Sequence, residues 1–256
     1  MTLKVRVIPT LLWKSAGLVK GVSFDSWRRV GPIVPAVRVY TARDVDELAV
    51  MDITATIEGR SPDLDLIAEV AAHATIPLAY GGGISCADQV AQILEAGADK
   101  VIINSSLYAN LSLAERCAEK FGTQCVVAGI DFRRNEGVLQ CYKDSGTTPV
   151  NIGALDWAQS VVSAGAGEVL LTSVDLDGAM SGYDIEAIGE VCSVVDAPVI
   201  ASGGAGKTSD FVDAVLLGGA SAVAAASVFH FTELTPFEVK VHMSERGIPV
   251  RHPPSE

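Results

Sequence analysis

The chain contains no apolar run of the ~18 residues that a membrane-spanning helix needs. The run after Lys4 and Arg6 is already broken by Pro9 and Lys14. Basic residues are in deficit: 19 Lys and Arg stand against 31 Asp and Glu, a net charge of −12. That balance argues against nucleic acid or an anionic membrane as the main partner. An anionic small substrate stays possible, because backbone N–H groups at glycine turns bind phosphate without net positive charge. Cysteine is sparse and unpatterned. Cys86, Cys117, Cys125, Cys141 and Cys192 are odd in number and include no Cys-x-x-Cys pair, which supports neither a disulfide framework nor a zinc site. Cys125 and Cys192 lie in apolar runs and read as core residues. His73, His242 and His252 lack metal-ligand spacing, so no metal and no cofactor are expected. Aromatics make up only 6% of a chain with mean hydropathy +0.34, which suits strands buried on both faces. The expectation is a soluble, reduced, cytoplasmic protein.

Glycine, by contrast, is arranged in a repeat. Residues 76–106 run Ile-Pro-Leu-Ala-Tyr-Gly81-Gly82-Gly83-Ile, a helical stretch, then Gly97-Ala-Asp99-Lys100-Val-Ile-Ile-Asn104-Ser105. Residues 197–227 run Ala-Pro-Val-Ile-Ala-Ser202-Gly203-Gly204-Ala-Gly206, a helix, then Gly219-Ala-Ser-Ala-Val-Ala-Ala-Ala226-Ser227. Pairing Gly81 with Gly203 makes the offset 122 residues, close to half of 256. Two fused halves of alternating strand and helix demand parallel pairing and predict one (β/α)8 TIM barrel. The halves fall at about 1–122 and 123–250, within a single domain of 1–256; the tail Arg251–Glu256, with Pro253-Pro254, is expected to fray.

Strands are predicted at Val5–Leu11, Glu47–Asp52, Ile76–Tyr80, Lys100–Asn104, Gln124–Asp131, Glu168–Thr172, Pro198–Ser202 and Ala222–Ala226. Helical patterns cover Leu64–Ala72, Ala87–Ala96, Leu113–Phe121, Leu155–Ala164, Ile185–Val195 and Asp210–Leu217. The turn Asn135-Glu136-Gly137 before an alternating run to Tyr142 reads as a hairpin after the fifth strand. Trp13–Ser26 reads as a long loop after the first. Both extensions follow strands, so both belong to the catalytic rim of such a barrel.

On that face the strand ends offer Leu12, Asp52, Gly81–Gly83, Asn104, Asp131, Asp175, Asp177, Gly203–Gly204 and Ser227. The two glycine turns, each paired with a small polar strand end, predict two phosphate cradles in which free N–H groups point outward and no Cβ intrudes. A substrate phosphorylated at both ends would fit them. Aligning the first and fifth strands sets Leu12 opposite Asp131, so only one half carries a carboxylate for proton transfer.

Over essentially its whole length the chain resembles the cyclase subunit of imidazole glycerol phosphate synthase. The carrying segments are Met51-Asp52-Ile-Thr-Ala, Gly81-Gly-Gly-Ile, Gly97-Ala-Asp-Lys-Val with Asn104, Gly167-Glu168-Val-Leu-Leu-Thr172, Asp175-x-Asp177-Gly, Ser181-Gly-Tyr-Asp184, Ala201-Ser-Gly-Gly-Ala-Gly-Lys207 and Ala226-Ser-Val-Phe-His230. That family closes an imidazole ring on a bis-phosphorylated nucleotide, using ammonia released by a glutaminase partner and carried through the barrel. The resemblance implies that Gly82, Gly83, Asn104 and Ser105 hold one phosphate, and that Gly203, Gly204, Ala226 and Ser227 hold the other. Asp131 matches the family's second catalytic aspartate, and Leu12 stands where the first catalytic aspartate is found; Asp177, at a strand end on the reactive face, reads as an auxiliary site residue. An isobutyl group cannot exchange a proton, which counts against the two-carboxylate cyclisation. Arg6, Glu47, Lys100 and Glu168 match the charged ring that gates ammonia, and Asp99 matches a partner-facing residue. His230 is also matched, with an orienting or packing role expected.

The segments Ile8–Lys20, Ala79-Tyr80-Gly81 and Glu58-Gly-Arg60 look like a divergent branch associated with acetamidino modification of bacterial surface sugars. The leading expectation is an ammonia-channelling subunit in a heterodimer with a glutaminase, supplying a separate amidotransferase. An active cyclase of histidine biosynthesis is one alternative. A non-catalytic phosphate-binding scaffold is another.

Overall fold

The computed structural model describes residues 3–14, 17–43 and 45–251. His252 and the rest of the tail after Arg251 lie outside the described residues. The chain runs β1 (Arg6–Lys14), β2 (Gly17–Val22), β3 (Asp25–Gly31), α1 (Ile33–Ala42), β4 (Leu48–Asp52), α2 (Leu64–Ala71), β5 (Leu78–Gly81), α3 (Ala87–Glu95), β6 (Lys100–Ile103), α4 (Ser105–Ala109) and α5 (Ser112–Phe121). It continues through β7 (Val126–Asn135), β8 (Val138–Lys143), β9 (Thr148–Gly153), α6 (Ala154–Ser163), β10 (Glu168–Ser173), α7 (Ile185–Val194), β11 (Val199–Ser202), α8 (Thr208–Leu216), β12 (Ala222–Ala225), α9 (Ser227–Phe231) and α10 (Pro236–Glu245). Eight parallel strands, β1, β4, β5, β6, β7, β10, β11 and β12, pair in that order, and β12 pairs back to β1. This is the closed (β/α)8 barrel that the repeat predicts. No helix among the described residues is long and apolar enough to cross a membrane.

Local chemistry explains the element ends. Asp63 and Asp184 cap α2 and α7, each side chain accepting an N–H from the first turn. Thr235 and Glu238 form a reciprocal capping box at α10, with Pro236 in its first turn.

Several expectations need correction. Gln124 and Cys125 lie in a 3-10 turn before β7, not in the strand. The Trp13–Ser26 extension is no loop: β1 runs on to Lys14, and β2 and β3 fold back on it as antiparallel strands. The hairpin after the fifth strand is present as β7–β8, with β9 added beside it. Cys125 and Cys192 are only half-buried, whereas Cys117 and Cys141 are the buried pair. The repeat offset is 121 residues at the glycine turns, where Gly82 matches Gly203, and becomes 122 from β6 and β12 onward. An extra glycine, Gly218, after α8 accounts for the change.

The registers define the barrel interior. Tilted strands make each level climb one residue per hydrogen-bonded step. One level joins Ile8, Ala79, Val127 and Ile200, the next joins Ala49, Ile102, Leu170 and Ala224, and the third joins Thr10, Gly81, Gly129 and Ser202. The lower two pack as one apolar cluster. The third holds two glycines, a serine and a threonine where barrels carry bulky branched residues. The interior is filled toward the N-terminal ends of the strands and hollow toward their C-terminal ends.

Candidate functional site at the C-terminal face

The hollow level is the floor of a mouth enclosing about 1180 Å³ of space, its open side included. Leu12, Asn104, Asp131 and Asp177 line it, together with both glycine turns, Ser105, Ala226 and Ser227. All the expected phosphate-contacting residues therefore converge on one cavity. Phe24 and Trp27, from the β2–β3 hairpin, form part of its rim.

The glycine turns are matched in geometry. Gly82, Gly83, Gly203 and Gly204 all take positive φ, between +71° and +122°. A Cβ on Gly82 would lie 2.3 Å from the Asp52 carbonyl oxygen, and one on Gly203 would lie 2.5 Å from that of Ser173. Gly83 and Gly204 likewise abut the carbonyls of Arg60 and Gly182. Glycine is demanded by the neighbouring backbone behind the turn, and the open front follows from that. The Gly83 N–H is not free, since it donates to Thr56 Oγ1 at 3.3 Å. Ser105 Oγ accepts the Asp144 N–H at 2.9 Å, which ties this turn to the loop after β8.

Asp131 ends the inward-facing run of β7. Its Oδ2 accepts the Asn104 side-chain N–H at 2.8 Å. Burial pushes its carboxyl up to about 7, the Asp177 charge adds to the rise, and the Asn104 hydrogen bond opposes it. Asp177 follows β10 in a turn; burial raises it, and the ammonium of Lys20 holds it down. Lys20 itself is 2% exposed, and its Nζ donates to the Thr10 carbonyl at 2.7 Å. Burial lowers its pKa, against the pull of Asp177. Sequence reasoning missed Lys20, although a lysine within the apolar run Gly17-Leu-Val-Lys20-Gly-Val was the available signal. Buried Thr172 and half-buried Ser145 also line the mouth and were missed.

Other strand-end residues have structural duties. Asp52 is buried and accepts from Thr54, Ala55 and Arg60. Asp175 points outward and pairs with Arg133. His230 contacts the Tyr40 hydroxyl at 3.3 Å, and burial, followed by the Lys20 charge, lowers its pKa to about 3, so it stays neutral. Among the described residues no group of three or more His, Cys, Asp or Glu side chains could hold a metal ion.

At the opposite end, the four expected ring residues meet. Arg6 donates to Glu47 at 2.6 Å and to Glu168 at 2.7 Å; Lys100 donates to the same two carboxylates at 2.9 and 3.0 Å. The result is a closed four-membered ion-pair ring across the barrel floor. Asp99 sits beside it, exposed, with Oδ2 accepting the Leu78 N–H at 2.8 Å.

Three relatives align with this chain in sequence along nearly their full length. The chain is 45% identical over 249 residues to the protein named imidazole glycerol phosphate synthase subunit HisF of Hyphomonas neptunium, covering 97% of this chain and 99% of that one. It is 43% identical over 254 residues to the HisF subunit of Gluconacetobacter diazotrophicus, covering 99% and 98%. To the HisF subunit of Natranaerobius thermophilus it is 43% identical over 246 residues, covering 96% and 98%. The family described as histidine biosynthesis protein matches residues 6–235. With a barrel, a mouth and coverage of this extent in agreement, the chain belongs to that histidine biosynthesis family and is a HisF-like subunit within it.

Proposed function

We propose that the chain is the synthase subunit of a glutamine amidotransferase pair, taking a bis-phosphorylated nucleotide into the mouth and ammonia through the bore. The observation that carries this reading is the coaxial placement of the ion-pair ring, the apolar levels and the mouth. The glycine turns flank the mouth on matched halves, as a substrate phosphorylated at both ends requires. A glutaminase docked at the floor would release ammonia against the ring, with Asp99 exposed toward it. The full-length HisF relatives favour cyclisation in histidine biosynthesis over the surface-sugar role.

Asp131 supplies the acid–base chemistry. A carboxyl near 7 exists in both forms at neutral pH and can accept a proton from the attacking nitrogen and return it to a leaving oxygen. Leu12 contributes no proton. Asp177, balanced against Lys20, is the second titratable group facing the same mouth.

The test is ammonium-driven cyclisation of the family's nucleotide by the purified chain, beside Leu12→Asp. Turnover by the native chain establishes the cyclase; binding without turnover in either form rejects it. Leu12 supports a second reading, in which the barrel passes ammonia on to a separate amidotransferase acting on a surface sugar. That reading requires glutamine nitrogen to leave the complex while no imidazole forms.

A further inference from the structure

We infer that Met51 is the residue that decides what crosses from the bore into the mouth. Its thioether fills the Gly81 side of the third level and narrows the passage there, favouring a small neutral molecule over larger or charged ones. The inference rests on the ammonia-conduit reading and adds a specificity-determining residue to it.

Gly81 lies in regular strand and takes no positive φ, so turn geometry does not explain it. Space does. A Cβ there would lie 2.8 Å from both Cε and Sδ of Met51, and 3.1 Å from Ile102 Cβ. The volume that a side chain at 81 would fill is already occupied by the end of Met51. By register, however, Met51 belongs one level higher, where it rings the mouth with Asn104, Thr172 and Ala226. Its side chain drops from that ring into the gap over Gly81. It therefore packs on the apolar cluster below while lining the mouth above.

The chemistry of the plug suits a valve. Methionine is unbranched and polarizable, with three rotatable bonds, so it fills irregular gaps and leaves them at little cost. Below the Thr10 and Ser202 hydroxyls of the third level, ammonium or a file of waters would leave hydrogen bonds unmet beside Ile102, Leu170 and the thioether. A single neutral ammonia forfeits less.

Two readouts test this on the glutaminase-bound protein. The first is the origin of product nitrogen when [amide-15N]glutamine competes with unlabelled ammonium in bulk, a ratio that does not depend on overall rate. Met51→Trp should lower the glutamine-derived share at least tenfold, and Met51→Leu should keep it near native. An unchanged share in Met51→Trp overturns the inference. The second is xenon uptake by crystals of the free chain. Met51→Ala should gain a xenon atom over Gly81 that the native protein lacks. Xenon at that place in both forms, or in neither, also overturns it. If the native complex transfers no glutamine nitrogen at all, the conduit reading has failed, and the xenon result still decides whether Met51 fills the space over Gly81.

Discussion

The side-chain amide of Asn104 donates to Asp131 Oδ2 at 2.8 Å, joining the end of β6 to the inward face of β7. This bond favours the ionised carboxyl, while burial and Asp177 oppose it, and the balance leaves Asp131 near 7. If ionised Asp131 is the base, activity climbs with pH through that value. Asn104→Ala removes the stabilising donor, so the limb should move to higher pH. A pH–rate profile of the two proteins checks the direction.

Asp131→Asn should cut turnover by roughly 10²–10⁴-fold, the scale of general acid–base catalysis. It should also stabilise the fold above neutral pH. A carboxyl raised from an unfolded value of about 3.9 lets the folded state bind more protons than the unfolded state between ~4 and ~7, so its contribution falls as pH rises through that window. Asp131 is half-buried in the wall of the mouth, and the solvent that reaches it limits the gain to about 1–3 kcal/mol. Thermal melts at pH 5 and pH 8 should show the variant's advantage only at the higher pH.

Leu12→Asp places a second carboxylate on the wall of the mouth. Cyclisation with ammonium should rise by at least about tenfold if the missing acid or base limits the reaction. Initial rates at saturating nucleotide measure it.

Glu47→Ala leaves Arg6 and Lys100 with one carboxylate between them. Glu47 is 3% exposed, so its removal should cost about 2–4 kcal/mol, in line with breaking a largely buried pair. Glutamine-driven turnover should fall more than ammonium-driven turnover, because bulk ammonia can enter from the mouth. Urea titration and paired assays check both effects.

Gly203→Ala drives a Cβ to 2.5 Å from the Ser173 carbonyl at a φ of +85°. The neighbour is backbone and cannot step aside, so the turn must distort. A loss of about 1–3 kcal/mol and weaker binding of inorganic phosphate are expected, read by denaturation and calorimetry.

The sequence by itself determined the barrel, because a glycine-punctuated repeat of strand and helix has few other ways to close. The resemblance, carried by motifs legible in the sequence, pointed to Arg6, Glu47, Lys100 and Glu168, which the fold brings together at the barrel floor, and to the turn residues that line the mouth. Tertiary structure alone decided the rest. Lys20 lies in an antiparallel strand that no turn signal announced, and only the fold of that hairpin buries its ammonium beside Asp177. Gly81 and Met51 lie thirty residues apart in the chain, and the β4–β5 register puts one side chain into the space the other leaves. The proton affinity of Asp131 is likewise a property of its enclosure, because desolvation depends on what surrounds a carboxyl and not on its neighbours in sequence.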